Sequence, residues 1–428
     1  MVMKLTARTL VIVGVFAVIV WPGVGRAASS ATDRLIAQAQ YKIQRNPNNA
    51  QAYYELGDAH IQKARASGDM SQFDLAEKAL RKSLDINPKQ SGVLRHLAHV
   101  LSSRHDFAGA AVEAQKAIAL NDKDADAYAV LGDAYLDMGK YAEAEDTYKK
   151  MIGLKESLST YSRLSGLKSL KGDSDGAIAD LKKAIALGIE QNQPAESVAW
   201  AEWQLGMEHF AVGRIQDAKK AMHAALERQP NYHRAIAGLA QVRAAQGKHN
   251  EAIRLYQKTL AAIPNPEHAA ALGDVYKKLG RNADANKQYK LVEYIGKLNS
   301  LNQALYNREL AYFYADRDIK LPEALTLAQN EMKVRQDVQG YDLLAWSLYK
   351  NGRYEEAKTA IAEALKLGTR DAKLFFHAGM IHKRLGENDK ARDFLQRAVA
   401  TNPQFHILHA DVARKALAEV NALVRAAK

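Results

Sequence analysis

The chain has 428 residues, 25% of them charged and 47% hydrophobic, and no cysteine, so disulfides, thiolate metal sites and cysteine nucleophiles are all excluded. Lys and Arg number 60 against 48 Asp and Glu, a net charge of +12, yet the charges are interspersed along the chain, which fits solvated helix faces and argues against a nucleic-acid arm. The phosphate-loop pattern GxxxxGK[ST] and a GxGxxG following a strand are absent, and with them the nucleotide chemistry they support.

Residues 1–27 read as a secretory signal: Lys4 and Arg8, an apolar run from Leu10 to Trp21, then Pro22 and the small-residue exit Gly25-Arg26-Ala27. Cleavage after Ala27 is expected, giving an exported, periplasmic protein whose net charge is lower by three. The run is short for a membrane span, and an uncleaved N-terminal anchor is the alternative. Without a cysteine a lipid anchor is excluded, and there is no twin-arginine pair.

Residues 28–49 carry Leu35, Ile36, Ala39 and Ile43 at helical spacing ahead of Asn46-Pro47, an amphipathic half-hairpin suited to capping a stack of helices. From there a small residue and an alanine recur together ten times. The small residues are Gly57, Ala98, Gly132, Ser165, Gly206, Ala240, Gly273, Ala311, Ala345 and Gly379; the alanines are Ala76, Ala110, Ala144, Ala177, Ala218, Ala252, Ala285, Ala324, Ala357 and Ala391. Their usual separation is 12, stretched to 19 at the first pair by an insertion around Ser67, Gly68 and Asp69, and the repeat period is 33 to 34. A small residue lets a neighbouring helix approach while large apolar neighbours fill the seam, so each unit is expected to be an antiparallel helical hairpin. Pro88, Pro230, Pro264 and Pro403 close their hairpins, because the residue before proline is pushed out of helical geometry. The units divide into four over 50–187, three over 188–293 behind a longer link, and three over 294–403 behind another. The segment 404–428, with Ile407 to Leu423 amphipathic, is a capping helix.

Tyr128, Leu131-Gly132, Tyr135, Ala144 and Tyr148 in one unit, and Leu344-Ala345, Leu348, Gly352, Tyr354 and Ala357 in another, resemble the tetratricopeptide repeat family. The likeness spans nearly all of 50–403. It implies an all-α, right-handed superhelical solenoid of about ten helix pairs with capping helices at both ends, and a concave groove that takes peptide segments.

Thirteen histidines include the i, i+3 pairs His96/His99 and His406/His409, spaced as metal ligands on one helix face. No HExxH context or third ligand accompanies them, and His60, His209 and His382 stand where the repeat wants an aromatic residue. Histidine is therefore read as packing, and no metal or cofactor is expected.

With the small residue numbered 8, positions 2, 5, 9, 12 and 13 of the first helix face away from the hairpin seam. There the eighth to tenth units place Arg308, Tyr312, Trp346, Tyr349, Lys350, Lys373, Phe376, Met380, Lys383 and Arg384, an aromatic floor with a basic rim. The fifth unit places Trp200, Trp203, Met207 and Phe210. The first patch reads as a binding surface for protein segments with apolar anchors and acidic groups. For the second, the adjoining link favours burial, and a superhelix can also pack its concave side on its own next turn. The carboxylate clamp of some family members is only partly matched, with Arg308, Tyr312, Leu343, Lys373 and His377 at its positions and its Asn donors missing. The reading is a non-enzymatic scaffold of the bacterial envelope, within an assembly or polymer-export machine, with no nucleic acid and no membrane span after signal removal. A module for anionic glycan or envelope polymer is the alternative. The sequence fixes no oligomeric state.

Overall fold

A computed structural model describes residues 31–67, 69–301 and 308–426. Among them there are 22 helices and no strand. Helix α1 (Ala31–Arg45) precedes ten helix pairs: α2 (Ala50–Ser67) with α3 (Ser71–Ile86), α4 (Ser91–Ser103) with α5 (Phe107–Leu120), α6 (Ala125–Asp137) with α7 (Tyr141–Leu154), α8 (Leu158–Leu170) with α9 (Ser174–Glu190), and α10 (Ala195–Ala211) with α11 (Ile215–Arg228). Then come α12 (His233–Ala245) with α13 (His249–Ala262), α14 (Pro266–Lys278) with α15 (Asn282–Leu301), α16 (Arg308–Asp316) with α17 (Leu321–Glu331), α18 (Val338–Lys350) with α19 (Tyr354–Leu365), and α20 (Ala372–Arg384) with α21 (Asn388–Thr401). Helix α22 (His409–Ala426) closes the stack. The expected signal segment lies outside the described residues. Among the described residues no helix is long and apolar enough to cross a membrane.

The recurring pair of small residues is explained by the packing. All ten alanines are fully buried. A Cβ added at Gly132 would lie 2.3 Å from the ring of Tyr148, and one at Gly273 2.3 Å from that of Tyr289, so glycine there makes room for a tyrosine of the partner helix. Helices begin where Asp106, Asp124, Ser157, Asp173, Asn265, Asp337 and Asp371 accept backbone N–H groups of the first turn. They end at turns where Gly139, Gly172, Gly213, Gly247, Gly280, Gly352 and Gly386 take φ of 71–78°, a region open to glycine.

The two longer links of the sequence reading are instead longer helices. Helix α9 continues to Glu190 and α15 to Leu301, and the insertion near Gly68 extends α2. The stack also closes on itself. The Val338 N–H donates to the Tyr141 hydroxyl at 2.7 Å, the Thr369 hydroxyl donates to the Leu170 carbonyl, and the Asn402 amide donates to the Phe210 carbonyl at 2.7 Å. Arg335 pairs with Asp137 at 3.4 Å and lies over the Phe107 ring. Turns of the third to fifth pairs thus meet the turns that precede α18, α20 and α22, and the concave side is partly enclosed.

Candidate functional site

The closure leaves two adjoining cavities among the first helices of the pairs. One, of about 650 Å³, lies between α10, α12 and α14 on one side and the Pro403–Ile407 turn with α22 on the other. Trp203, Met207 and Phe210 form its apolar wall, and the Arg234 guanidinium lies 5.2 Å from the Trp203 ring. The other, of about 420 Å³, is walled by α14, α16, α18 and α20. Glu267, Ala271, Asp274, Glu309 and His406 line both.

The second cavity is acidic inside a basic protein: Glu267, Asp274, Glu309, Asp316, Asp342 and Asp371 face Arg308, Arg317 and Lys373. Several of these charges are already matched. Asp274 pairs with Arg317 at 2.6 Å and accepts from the Tyr289 hydroxyl at 2.9 Å. Burial opposes its ionisation, but Arg317 and His406 more than offset that and hold its pKa below the ordinary carboxylate range. Asp342 is likewise held down against its burial by His377 at 2.8 Å, and it accepts from the Tyr312 hydroxyl at 2.8 Å. Arg308 turns to Glu331 at 2.9 Å and Asp337 at 2.7 Å. Asp371 caps α20 through the Leu374 N–H at 2.7 Å, and burial raises its pKa. Among the described residues Glu267 and Glu309 have neither an ion pair nor a side-chain hydrogen bond. Both side chains remain exposed at the cavity openings; partial desolvation by the cavity walls, then the charge of Glu309, pushes the Glu267 pKa up, while Arg234 and Lys373 pull it down. The junction of the two cavities therefore carries two carboxylates without an ion-pair partner among the described residues.

Tetratricopeptide repeat family models match residues 50–90, 113–146, 209–275 and 343–404. The chain belongs to the tetratricopeptide repeat family. No curated protein matches it in sequence. Among solved structures, it is similar to MamA at 23% identity, covering 39% of this chain and 93% of MamA with a TM-score of 0.31. It is similar to YrrB, a TPR protein with an unusual peptide-binding site, at 21% identity over 45% of this chain and 96% of YrrB, TM-score 0.30. It is also similar to yeast Tom70 at 13% identity over 92% of this chain and 93% of Tom70, TM-score 0.40. The tetratricopeptide architecture is a protein-interaction scaffold.

Within these repeats the predicted Trp346 surface is corrected. Trp346 is 2% exposed, stacked between Tyr349 at 4.9 Å and His377 at 4.1 Å, and its Nε1–H donates to Asp316 at 2.9 Å. Phe376 is 1% exposed against Phe405 and His409, and Met380 packs half-buried on the same cluster. Position 9 faces away from its own hairpin but toward the first helices of the repeats before and after, which bury it. The basic rim is also engaged. Lys350 pairs with Asp318 at 2.7 Å, Lys383 pairs with Glu419, and Arg384 lies over the Tyr354 ring at 5.2 Å. Lys373 sits 3.4 Å from the Tyr312 ring centre and 3.9 Å from Asp316. Of this patch Arg308, Tyr312 and Lys373 do line the second cavity.

The second predicted patch divides. Trp203, Met207 and Phe210 line the first cavity, whereas Trp200 packs half-buried against the clusters of the fourth to sixth pairs. Arg234 and Glu267 escaped the sequence reading although both stand at position 2, the register of Lys373. His406 was read as packing, and its part is now specific. Its Nδ1 accepts the N–H groups of Leu408 and His409 at 3.2 and 3.3 Å, capping α22, which leaves Nε2–H to face Asp274 at 3.4 Å.

Proposed function

We propose that the chain is a non-catalytic scaffold that holds an extended protein segment inside its closed superhelix. The observation that carries this is the pair of cavities meeting at Glu267 and Glu309, one with an apolar patch at Trp203, Met207 and Phe210 and the other acidic. A segment with an apolar side chain against Trp203, Met207 and Phe210, followed by Lys or Arg beside Glu267 and Glu309, satisfies both. The partner chemistry is thus basic and apolar, in place of the acidic segments suggested by the rim. A polyanionic glycan would meet the unpaired carboxylates and be repelled. We further propose that the protein works in the bacterial envelope after export, which the pattern of residues 4–27 supports.

A photo-reactive residue in place of Ala271, which lines both cavities, tests the reading in the native host. Capture of protein segments bearing Lys or Arg, lost in Glu267→Lys with Glu309→Lys while the helical signal is kept, supports it. Capture of glycan, or capture indifferent to that charge reversal, overturns it. The intact mass of the native protein should begin at Ala28, and a full-length cytosolic species refutes export.

A further inference from the structure

The seam between the early and late repeats is built from the walls of the cavities. Leu170, Thr369 and Val338 line the second cavity, and Phe210 and Pro403 the first. These residues belong to, or adjoin, the pairs joined by Tyr141 to Val338, Leu170 to Thr369 and Phe210 to Asn402. Apart from those hydrogen bonds the seam holds the Arg335–Asp137 pair, Arg335 over the Phe107 ring, and the side chains of Tyr141 and Leu170, half-buried against the cluster containing Val338 and Leu374; beside it Ile407 packs on the α12–α14 cluster, Asp411 pairs with Lys278 and His406 faces Asp274. That is a narrow contact for a structure of this size.

Seven turn glycines share one backbone conformation, yet three stand apart. A Cβ at Gly139 would lie 2.1 Å from the Gln336 carbonyl oxygen, one at Gly172 2.4 Å from that of Gly368, and one at Gly213 3.1 Å from that of Thr401. At Gly247, Gly280, Gly352 and Gly386 nothing lies within 4 Å. At Gly139 and Gly172 glycine serves both the positive φ and a backbone-to-backbone approach that any side chain would block, and at Gly213 the approach is tight enough that a side chain would push the turns apart by a few tenths of an ångström. The seam therefore closes by fit at three turns, with few bonds to hold it.

We propose that this seam is a releasable clasp: its closure walls the chamber, and its opening swings α16–α22 away from the third to fifth pairs and exposes the interior. The admission of a segment rests on the function proposed above; the opening itself does not.

Val338 reports the clasp directly. It is the first residue of α18, where an N–H has no partner within the helix, and its N–H donates across the seam to Tyr141. Its hydrogen exchange should be slower than that of a solvated amide and faster than that of amides inside α18. Protection equal to the helix interior means the clasp does not open, and the proposal falls.

Access to the chamber is the second reading. The chain has no cysteine, so Ala271→Cys supplies a single reporter thiol on the shared wall. Its labelling by a polymer-coupled maleimide should rise about tenfold or more when Gly172→Ala is added, with an increase in the radius of gyration. Gly352→Ala carries the same φ strain without a seam contact and should leave the rate unchanged. Equal rates in the two backgrounds overturn the clasp. The thiol reads the chamber rather than a partner, so a failure of segment capture and a failure of the clasp are told apart.

Discussion

Replacing Trp346 by alanine should unfold the last repeats and leave the first ones standing. The indole is buried to 2% exposure, so its removal costs about 3–5 kcal/mol in lost burial and cavity formation. It also strips Asp316 of the Nε1–H at 2.9 Å, leaving that carboxylate with Lys373 at 3.9 Å, and an under-satisfied buried acceptor adds about 1–3 kcal/mol. Trp346→Phe weighs the two contributions differently: a ring still stacks on Tyr349 and His377, while the donor is lost, for about 1–3 kcal/mol, together with a smaller cavity where the second ring stood. A long repeat array need not unfold as one unit, so denaturant titration by circular dichroism should be paired with hydrogen exchange resolved by helix. The loss of protection is expected in α16–α22, the helices that surround Trp346. A Trp346→Ala protein within about 1 kcal/mol of the parent would refute the placement of this side chain in the core.

Two helical glycines should respond in opposite directions. Gly132→Ala drives a Cβ to 2.3 Å from the Tyr148 ring and disturbs the hydroxyl's 2.7 Å bond to Asp133, a loss of about 1–3 kcal/mol; Gly166→Ala on α8 meets nothing within 4 Å and should gain about 0.5–1 kcal/mol. Melting temperatures of the two variants check the pair, and a stabilised Gly132→Ala would refute the packing argument. Stability should also fall on mild acidification. Burial first, then neighbouring cations, pushes the pKa of His99, His105 and His268 down to about 4, and burial takes His409 to about 3. Below about pH 6.5 the unfolded chain binds protons at these sites and the folded one does not, so stability is full above that pH and is lost on descent toward about 4. Asp137, raised by burial to about 6, works the other way over part of this range, as do Glu208, Glu267 and Asp371, while His96, His209, His233 and His382, also pushed down chiefly by burial, add to the loss. A denaturation midpoint that does not move between about pH 7 and about pH 5 would refute the assignment of these imidazoles as neutral.

Much of the fold was legible because its rule is local. Gly132 needs space for Tyr148, sixteen places on, and Ala144 sits in the same seam, so one hairpin records its own packing. The burial of Trp346 was not legible from its hairpin, since what covers it comes from Asp316 of one neighbouring repeat and His377 of the other. The apolar wall at Trp203, Met207 and Phe210 was visible as a side-chain cluster, but the opposing Pro403–Ile407 turn depends on closure of the whole stack. Glu267 and Arg234 left a signal at position 2 that was passed over, because a charge in the first turn of a helix ordinarily serves solvent or the helix dipole. The seam leaves no local signature: Gly172 and Gly352 are alike in sequence context and backbone angle, and only the distant Gly368 carbonyl distinguishes them.

That distance bears on how the closed form is stabilised. Tyr141 and Val338 are 197 residues apart, and bringing together the ends of a flexible chain of that length costs about 5 kcal/mol. Three hydrogen bonds at about 1 kcal/mol each and two half-buried apolar side chains would barely offset it. The intervening chain is not flexible, however, but a stack of packed hairpins whose ordering is already accounted for by burial between neighbours. Closure then depends on whether the curvature accumulated through the fifth to seventh pairs presents the late turns to Gly139, Gly172 and Gly213. The two longest second helices of the described pairs, α9 and α15, stand at either end of that stretch. A lesion in those middle repeats consequently reaches the clasp, and the chamber behind it, through geometry alone.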